Sequence, residues 1–320
     1  MKIKPHRWWR RFYNHRRESI WQHILSIART ALHFLKSKIW QFKKDMIPAL
    51  VAWRHEGMPQ GRSIEPIITW IGHATFLIQI GELNILTDPV FFEISAFSRR
   101  LMPPALTIEQ LPRIDYILIS HNHKDHLDKR SMQALRDHNA TILVPLGNKR
   151  LLEQWGLTNV VEKNWWEMEV LSALNISFHC LPAAHWSARH AFNLNKALWA
   201  SWMVTYKNFT LYFAGDTAYS SHFALIGRYF KMIDVVLMPI GPNEPRYIMK
   251  GSHVSTHEAV QAFLDLGARH FIPMHWGTFK SGSDLFEGPL LLLQELWQTR
   301  AEVLRCKTLH IVKFGEPCHF

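Results

Sequence analysis

Cysteine is scarce in this chain of 320 residues, which contains only Cys180, Cys306 and Cys318. The count is odd, and no two of the three have the short spacing of a zinc-binding cysteine pair. The sequence therefore excludes a disulfide framework and a cysteine-rich metal site, and it suggests a reducing compartment.

Long uncharged apolar runs are also lacking. Near the N-terminus, Arg29, His33 and Lys36 interrupt every window of the roughly 18 apolar residues that a transmembrane helix requires. A secretory signal fits poorly, because no uncharged apolar core is followed by a small-residue cleavage site. No short-period repeat or low-complexity tract is visible. We therefore expect a cytoplasmic protein.

Net charge is missing from most of the chain, although the whole sequence carries +11. Residues 1–62 contain 14 Lys and Arg against 3 Asp and Glu, whereas residues 63–320 contain 23 of each. We predict two parts, a basic N-terminal arm over 1–62 and a catalytic domain over 63–320. A neutral domain argues against binding along a nucleic-acid backbone, so nucleic acid is not an expected partner.

The arm contains the pattern of an amphipathic helix. Ser19 and Gln22 have the spacing of a capping box. After that cap, apolar residues recur at helical intervals, namely Ile20, Ile24, Ala28, Ala31, Leu35, Ile39 and Phe42. Three interpretations remain open: a helix packed on the domain, an interfacial helix bound to an anionic membrane, or an organelle transit peptide. The second interpretation predicts a peripheral membrane protein.

One segment concentrates residues that can bind metal ions. An apolar run, Tyr116 to Ile119, predicts a buried strand, and four such residues follow it: His121, His123, Asp125 and His126. Imidazoles and carboxylates suit zinc or a similar divalent ion. The two histidines can point the same way in an extended chain, whereas the adjacent Asp125 and His126 can face two different centres. A pair of metal ions needs about seven protein ligands, so others must come from elsewhere.

Three further apolar runs end near a residue of the same type, respectively His185, Asp216 and His275. Because the chain has 20 histidines, one such coincidence carries little weight. Four strand ends that supply five histidines and two aspartates indicate a metal site. Asp88 also follows a predicted strand, and we interpret it either as a carboxylate that orients a metal-bound histidine or as a simple turn residue before Pro89.

Strands and helices alternate in two similar halves along the domain. Residues 68–89 predict three strands, and the later segments that begin near Asp128 and Ser255 predict helices. This order predicts an α/β fold, a four-layered αββα sandwich with the metal site at one edge between its sheets. The linker into the domain is predicted over residues 54–66, which combine glycines and prolines.

The metal-binding pattern resembles that of a known superfamily. The string His121-x-His123-x-Asp125-His126, followed by His185, Asp216 and His275, is similar to the metallo-β-lactamase superfamily. Within it, the segments TWIGHATFL, ILTDPVF, NWWE, PAAHW, FAGDTAY, IGPNEPRYIMKGSHV and MHWGTF resemble the N-acyl-phosphatidylethanolamine-hydrolysing phospholipase D family. The resemblance runs from about residue 65 to about residue 316.

The resemblance implies a binuclear zinc site with a bridging hydroxide. His121, His123 and His185 would hold one ion, Asp125, His126 and His275 would hold the other, and Asp216 would bridge both. Such a site retains net positive charge, which favours an anionic phosphodiester, and two ions about 3.5–4 Å apart can contact both the attacking and the leaving oxygen.

Asp125 and His253 are the candidate catalytic residues. His253 matches a family histidine near the substrate, which implies a phosphate contact or a proton donor. The alternative is a polar cap before the helix that starts near Ser255. For Tyr247 and Trp276 we expect core packing rather than a place on the substrate path.

The segment from Val90 to Pro112 is an aromatic and basic loop of unusual length. Phe91, Phe92, Phe97 and Leu101 could face an acyl chain, although burial against the domain is the expectation. Arg99 and Arg100 could approach a phosphate or remain solvated.

The predicted function is a metal-dependent phosphodiesterase that hydrolyses N-acyl-phosphatidylethanolamine, or a related phospholipid, to phosphatidate and an N-acylethanolamine. The alternative is a lactonase or another small-molecule hydrolase of the same fold, and a nuclease is a more distant one. The expected partners are the phospholipid and the anionic membrane surface, and the family resemblance also suggests a homodimer.

Overall fold

A computed structural model describes residues 4–8, 11–14, 52–59, 61–94 and 100–320. Among these residues, no helix combines the length and the apolar character needed to cross a bilayer. The predicted amphipathic helix of the arm lies outside the described residues. The first described elements form a two-stranded antiparallel hairpin, β1 (His6–Trp8) and β2 (Arg11–Tyr13).

The first large sheet has seven strands and is completed by the end of the chain. Its members are β3 (Ile67–Gly72), β4 (Thr75–Ile80), β5 (Leu83–Thr87), β6 (Tyr116–Leu118), β7 (Thr141–Pro145), β8 (Val160–Lys163) and β16 (Pro317–His319). The spatial order is β16-β3-β4-β5-β6-β7-β8. Strands β5 to β8 run parallel, and the other pairs are antiparallel.

The second sheet also has seven strands. They are β9 (Met168–Leu171), β10 (Ile176–Leu181), β11 (Ser201–Tyr206), β12 (Phe209–Phe213), β13 (Val235–Pro239), β14 (His270–Met274) and β15 (Thr308–Leu309). They lie side by side in the order β15-β14-β13-β12-β11-β10-β9. Strands β12 to β15 are parallel, so their carboxyl ends lie at the same edge of the sheet.

Seven α-helices lie in the described part of the chain. They are α1 (Lys129–Ala134), α2 (Lys149–Glu153), α3 (His222–Tyr229), α4 (Arg246–Met249), α5 (Thr256–Leu266), α6 (Gly288–Thr299) and α7 (Ala301–Leu304). Asp128 caps α1 by accepting a hydrogen bond from the Ser131 amide. Helix α5 begins with a capping box formed by Ser255 and Glu258, and it ends at Gly267 in the left-handed conformation.

The side chains of the first sheet alternate along each strand and form an apolar layer on each of its two faces. Successive side chains of a strand point to opposite faces. Ile117 accordingly packs in one apolar cluster with Met132 of α1 and Leu152 of α2, on the outer face. Its neighbour Leu118 lies in the other cluster, between the two sheets.

The second sheet is covered on its outer face by helices α3, α5 and α6, which pack on one another in that order. Their apolar residues, such as Phe223, Phe263 and Leu293, are fully buried. Helix, sheet, sheet and helix thus form the four-layered αββα sandwich that the sequence predicted.

The carboxyl ends of β6 and β12 approach each other closely at one edge of the sandwich. Gly215 follows β12 with φ +58°, and a Cβ atom at this position would lie 2.5 Å from the Cβ of Ser120, which follows β6. Only glycine tolerates both the conformation and the approach. It allows the segments after the two strands to form one site.

Parts of the predicted arm and linker contact the domain. The Trp53 ring meets the Trp276 ring edge-on with centroids 5.2 Å apart, and the His55 amide donates to the Phe314 carbonyl at 2.9 Å. Arg54 also forms a parallel bridge with Phe314. The first residues of the predicted linker, from residue 54 onward, therefore pack against the domain. The division at residue 62 stays a prediction.

Candidate metal centre

The structure brings the seven predicted metal ligands together at the edge between the sheets. Nε2 of His121 lies 2.8 Å from Nδ1 of His123, and Nε2 of His185 lies 3.2 Å from the same atom. Four ligands around zinc at about 2.0–2.1 Å would lie about 3.3 Å from one another. The three nitrogen atoms are therefore spaced like ligands of a single ion.

A second group of donors lies beside the first. Donor atoms of Asp125, His126 and His275 lie within 4.8 Å of one another, together with one of His73. Oδ2 of Asp125 is 3.8 Å from Nε2 of His126. The two groups draw on the segments that follow β6, β10 and β14, which come from both sheets.

Asp216 connects the two groups. Its Oδ2 lies 3.2 Å from Nε2 of His126 and 3.8 Å from Nε2 of His185. Its Oδ1 lies 3.1 Å from Nε2 of His275. The carboxylate thus contacts histidines of both groups, as a bridging ligand would.

Most of the histidines are oriented through their second ring nitrogen. The partners of Nδ1 are Ser120 Oγ for His121, Asp88 Oδ2 for His126, the Ser252 carbonyl for His185 and the Gly241 carbonyl for His275, at 2.9, 2.7, 2.8 and 3.0 Å. An Nδ1–H that donates to oxygen leaves Nε2 as a free electron-pair donor. Each of these rings therefore directs Nε2 into the cluster.

Asp88 is the carboxylate that orients two of these rings. It accepts from His126 directly, and its Oδ2 also accepts from the Ser120 hydroxyl at 2.5 Å, next to His121. Its Oδ1 accepts from the Ser120 amide at 2.7 Å, and the residue is fully buried. The orienting role holds, and the simple turn interpretation is wrong.

The chemistry of the site fits a metal ion. Nε2 of His126, Nε2 of His275 and Oδ1 of Asp216 are buried and have no hydrogen-bond partner. Buried polar atoms without partners are costly and uncommon. A divalent cation among these atoms would satisfy all three, and a set of imidazoles and carboxylates suits zinc and similar ions.

Burial keeps three of the imidazoles neutral. It lowers the pKa of His121 well below its ordinary value, the pKa of His123 to about 4 and the pKa of His185 to about 3. Only the neutral ring can bind a metal ion. These side chains are therefore ready to bind metal at neutral pH.

The aspartates remain ionised in this buried setting. Burial alone would raise the pKa of Asp216, but the neighbouring His126, His275 and His253 outweigh it and hold the pKa well below its usual range. Burial would likewise lower the pKa of His126, but the charges of Asp216 and Asp125 raise it well above normal. This ring therefore carries a proton that a bound metal ion would displace. The site thus holds fixed negative charge that attracts cations.

His253 lies next to the predicted ligands. Its Nδ1 is 3.6 Å from Oδ2 of Asp216, and its ring centroid is 5.3 Å from that of His185. This Nδ1 is buried without a hydrogen-bond partner, and burial lowers the pKa of the ring to about 3. Ser255 caps α5, so the structure does not support a capping role for His253.

His73 belongs to the site but was missed from the sequence. It lies between β3 and β4 with φ +55°, and its Nε2 is 3.3 Å from Oδ2 of Asp125. Its ring lies over that of His275, with centroids 3.9 Å apart. Like the predicted ligands, it directly follows an apolar strand, and this signal could have identified it.

The structure also shows whether the weaker candidate residues are buried or exposed. Trp276 is buried against Trp53 and Trp70, as predicted. Tyr247 is 70% exposed, so the prediction of core packing is wrong for it, because the short helix α4 presents this side chain to solvent. Phe91 is buried against the outer cluster of the first sheet, as expected.

The remaining candidates from the loop between Val90 and Pro112 have three outcomes. Phe92 and Leu101 are partly buried against the domain, as expected. The Arg100 guanidinium donates to the carbonyls of Val90 and Phe92 rather than extending into solvent. Phe97 and Arg99 lie outside the described residues.

Comparison with known families agrees with the fold and the site. The family described as a beta-lactamase superfamily domain matches residues 83–276, which include all seven predicted ligands. The chain therefore belongs to the metallo-β-lactamase superfamily and is a metal-dependent hydrolase of that fold.

Two curated relatives narrow the comparison. The "N-acyl-phosphatidylethanolamine-hydrolyzing phospholipase D 1" of Caenorhabditis elegans is 35% identical over 264 residues, which are 78% of this chain and 74% of the relative. The mitochondrial "N-acyl-phosphatidylethanolamine-hydrolyzing phospholipase D" of Saccharomyces cerevisiae is 34% identical over 239 residues, 71% of this chain. The aligned part spans only 51% of the yeast protein.

A solved structure shows the same architecture. A metallo hydrolase from the archaeon Ignicoccus hospitalis superposes with a TM-score of 0.61 at 20% identity, covering 80% of this chain and 98% of that one. At this identity the likeness concerns the fold alone.

Proposed function

We propose that this protein is a zinc-dependent phosphodiesterase that hydrolyses N-acyl-phosphatidylethanolamine, or a related phospholipid, to phosphatidate and an N-acylethanolamine. The observation that carries the proposal is the similarity to the worm phospholipase D, at 35% identity over 78% of the chain. The cluster of histidines and aspartates supports it, because it can hold the metal ions that such a hydrolysis uses.

Two zinc ions fit the two groups of donors. His121, His123 and His185 would hold one ion, Asp125, His126 and His275 the other, and Asp216 would bridge them. When bound, such a pair activates water near neutral pH and offsets the charge of the phosphodiester. With two divalent ions bound, the two aspartates would leave net positive charge at the centre, which favours an anionic substrate.

The remaining roles in the reaction are proposed for protein side chains. Water attacks phosphorus, a new P–O bond forms, and the bond from phosphorus to the ethanolamine oxygen breaks. The departing oxygen needs a proton. His253, whose Nδ1 lies 3.6 Å from Asp216 and has no hydrogen-bond partner, is placed to contact the phosphate. Its pKa of about 3 leaves the ring neutral without substrate, and the negative charge of a bound phosphodiester would favour the protonated ring that can supply the proton. Asp125 would be a ligand of the other ion, and its Oδ2 lies 3.3 Å from Nε2 of His73, which steadies the carboxylate.

The basic arm is proposed to bring the enzyme to its substrate. Residues 1–62 hold a net charge of +11, and the rest of the chain is neutral. A Lys or Arg near an anionic bilayer contributes about 1 kcal/mol of binding free energy. The arm would therefore hold the catalytic domain at the cytoplasmic surface of a membrane, where a phospholipid substrate is present.

The test is a substrate panel with the purified, zinc-loaded protein. It contains N-acyl-phosphatidylethanolamine, phosphatidylcholine, a sugar lactone and structured RNA, with product identified by mass spectrometry. Release of N-acylethanolamine supports the proposal. Turnover of the lactone or the RNA alone would overturn it in favour of the lactonase or the nuclease.

A further inference from the structure

The hairpin formed by β1 and β2 lies directly on the loop that carries His185. The Phe12 amide donates to the Asn195 carbonyl at 2.7 Å, and the Arg11 guanidinium donates to the Leu194 carbonyl. The side chains of Phe12 and Tyr13 are 5% and 8% exposed. The hairpin is therefore docked on the domain and buries its own aromatic side chains there.

The loop under the hairpin, residues 187–195, is held by two hydrogen bonds between its first and last residues. The Asn195 amide donates to the Ser187 carbonyl at 2.6 Å, and the Asn195 side-chain oxygen accepts from the Ser187 amide at 3.1 Å. Ser187 lies two residues after His185. The hairpin contacts one end of this closed loop through Asn195, and the other end leads directly into the metal centre.

Asn14 reaches that other end. Its side-chain oxygen accepts a hydrogen bond from the His185 amide at 3.1 Å. On the preceding residue, the Ala184 amide donates to the Thr217 hydroxyl at 2.9 Å, and the Ala184 carbonyl accepts from the Ala218 amide at 2.7 Å. The backbone at His185 is thus fixed on one side by the segment after Asp216 and on the other by the N-terminal hairpin.

The ring of His185 has little freedom once its backbone is fixed. Its Nδ1 lies 2.8 Å from the Ser252 carbonyl, and its Nε2 lies 3.2 Å from Nδ1 of His123. A shift of the His185 backbone would move the ring and break one of these two contacts. The hydrogen bond from the His185 amide to Asn14 opposes such a shift, and it therefore helps to fix the direction in which Nε2 points.

We infer that the N-terminal hairpin is part of the metal centre and that Asn14 is a positioning residue for the metal ligand His185. Asn14 does not touch the metal site itself, and it acts through the backbone of the ligand. The basic arm then has a second role besides membrane binding, because the hairpin and Asn14 hold the backbone of a metal ligand in place. The inference rests on the ligand role proposed for His185, but not on the substrate.

The test uses cobalt(II) as the probe in the full-length chain, because zinc is d¹⁰ and has no d–d absorption. Asn14→Leu keeps the approximate size and removes the acceptor, whereas Asn14→Asp keeps an acceptor oxygen. Cobalt affinity is measured by competition with a chelator, and the ligand field is followed by the visible absorption bands. Asn159→Leu is the matched control, because Asn159 is exposed and bonds to Thr141 on the rim of the first sheet.

We expect Asn14→Leu to bind cobalt about threefold to tenfold more weakly, with shifted absorption bands, since one hydrogen bond to the ligand backbone is lost. Asn14→Asp and Asn159→Leu should match the unaltered protein. If Asn14→Leu does not fold, as judged by circular dichroism, Asn14→Ala takes its place. Unchanged affinity and bands in the variant that lacks the acceptor would overturn the inference.

His185→Ala separates this failure from a failure of the proposed ligand set. If His185→Ala loses cobalt while Asn14→Leu does not, the positioning role is wrong and the ligand role stands. If neither variant changes cobalt binding, the ligand set is wrong as well.

Discussion

Nδ1 of His126 lies 2.7 Å from Oδ2 of Asp88, and both side chains are completely buried. The same carboxylate accepts hydrogen bonds from the amide and the hydroxyl of Ser120, beside His121. One buried carboxylate therefore sets the orientation of a histidine in each of the two donor groups. Loss of the Asp88 carboxylate should therefore weaken metal binding in both donor groups, although Asp88 is not itself a predicted ligand.

Replacing this carboxylate tests that dependence. We expect Asp88→Ala to lower zinc affinity by about 10- to 100-fold, the usual effect of removing a partner that orients a metal-bound histidine. Chelator competition measures the affinity. Asp88→Asn keeps one acceptor oxygen for Ser120 and should lose less. Equal affinity in all three proteins would show that the histidines are oriented without Asp88.

Asp216 offers a test of the number of ions. The purified protein should carry close to two divalent ions per chain, and Asp216→Asn should lower occupancy in both donor groups, because the carboxylate contacts His126, His185 and His275. Metal content is measured by mass spectrometry of the digested protein. A fully active preparation with a single ion would contradict the binuclear arrangement.

His253 should separate catalysis from metal binding. His253→Ala is expected to keep its metal content and to lose about 10²- to 10⁴-fold in kcat, if the side chain supplies a proton. The steady-state rate and the metal content are measured on the same preparation. His257→Ala is the control, since His257 is exposed on the neighbouring helix. Loss of metal from His253→Ala would instead make this residue a ligand.

His73 should steady the Asp125 carboxylate. Removing the imidazole in His73→Ala leaves Oδ2 of Asp125 without its contact at 3.3 Å. We expect the ion that Asp125 would hold to dissociate several-fold more easily, whereas His73→Gln, which retains a donor, should recover part of the loss. Two-step titration with a chelator resolves the two ions. An identical titration for all three proteins would reduce His73 to a packing residue.

The membrane role of the arm can be tested through its charge. Arg29→Gln, Lys36→Gln and Lys43→Gln, combined, remove three positive charges from the arm without removing the hairpin. At about 1 kcal/mol each, the combined change should weaken binding to anionic vesicles by roughly 100-fold. Vesicle co-sedimentation at low and high salt measures it, and hydrolysis of detergent-dispersed lipid should stay unchanged.

The matched control removes three exposed charges from the domain. Arg150→Gln, Lys231→Gln and Lys313→Gln alter residues that are solvent-exposed in the structure. This combination should leave vesicle binding as it was. Equal losses in both combinations would show that net charge alone, rather than the arm, governs binding to the vesicles.

The fold and most of the site could be predicted because the signals are local. Each predicted ligand follows an apolar run, and a residue just after a buried strand lies at a sheet edge wherever the strand ends. The carboxyl ends of parallel strands meet at the same edge of a sheet. Asp88 after β5 and His121 after β6 therefore lie at one edge of the first sheet, and Asp216 after β12 and His275 after β14 lie at one edge of the second. The capping box at Ser255 was predictable for the same reason.

The remaining features depend on contacts between distant parts of the chain. Asn14 and His185 are 171 positions apart, and no sequence pattern around Asn14 indicates that it bonds to His185. The hairpin is a short basic and aromatic segment whose burial depends on the loop that receives it. The exposure of Tyr247 likewise follows from how one short helix lies on the surface.

The pairing of β16 with β3 has a consequence for biosynthesis. Strand β3 leads directly to His73, and its outer edge is covered only when residues Pro317–His319 have been made. Domains begin to fold while the ribosome adds about 5–20 residues each second. During that interval the nascent chain presents an unpaired strand edge, which can pair with other chains. The emergence of β16 from the ribosome is therefore the step that covers this strand edge, and slower synthesis of residues 317–319 should raise the fraction of insoluble protein.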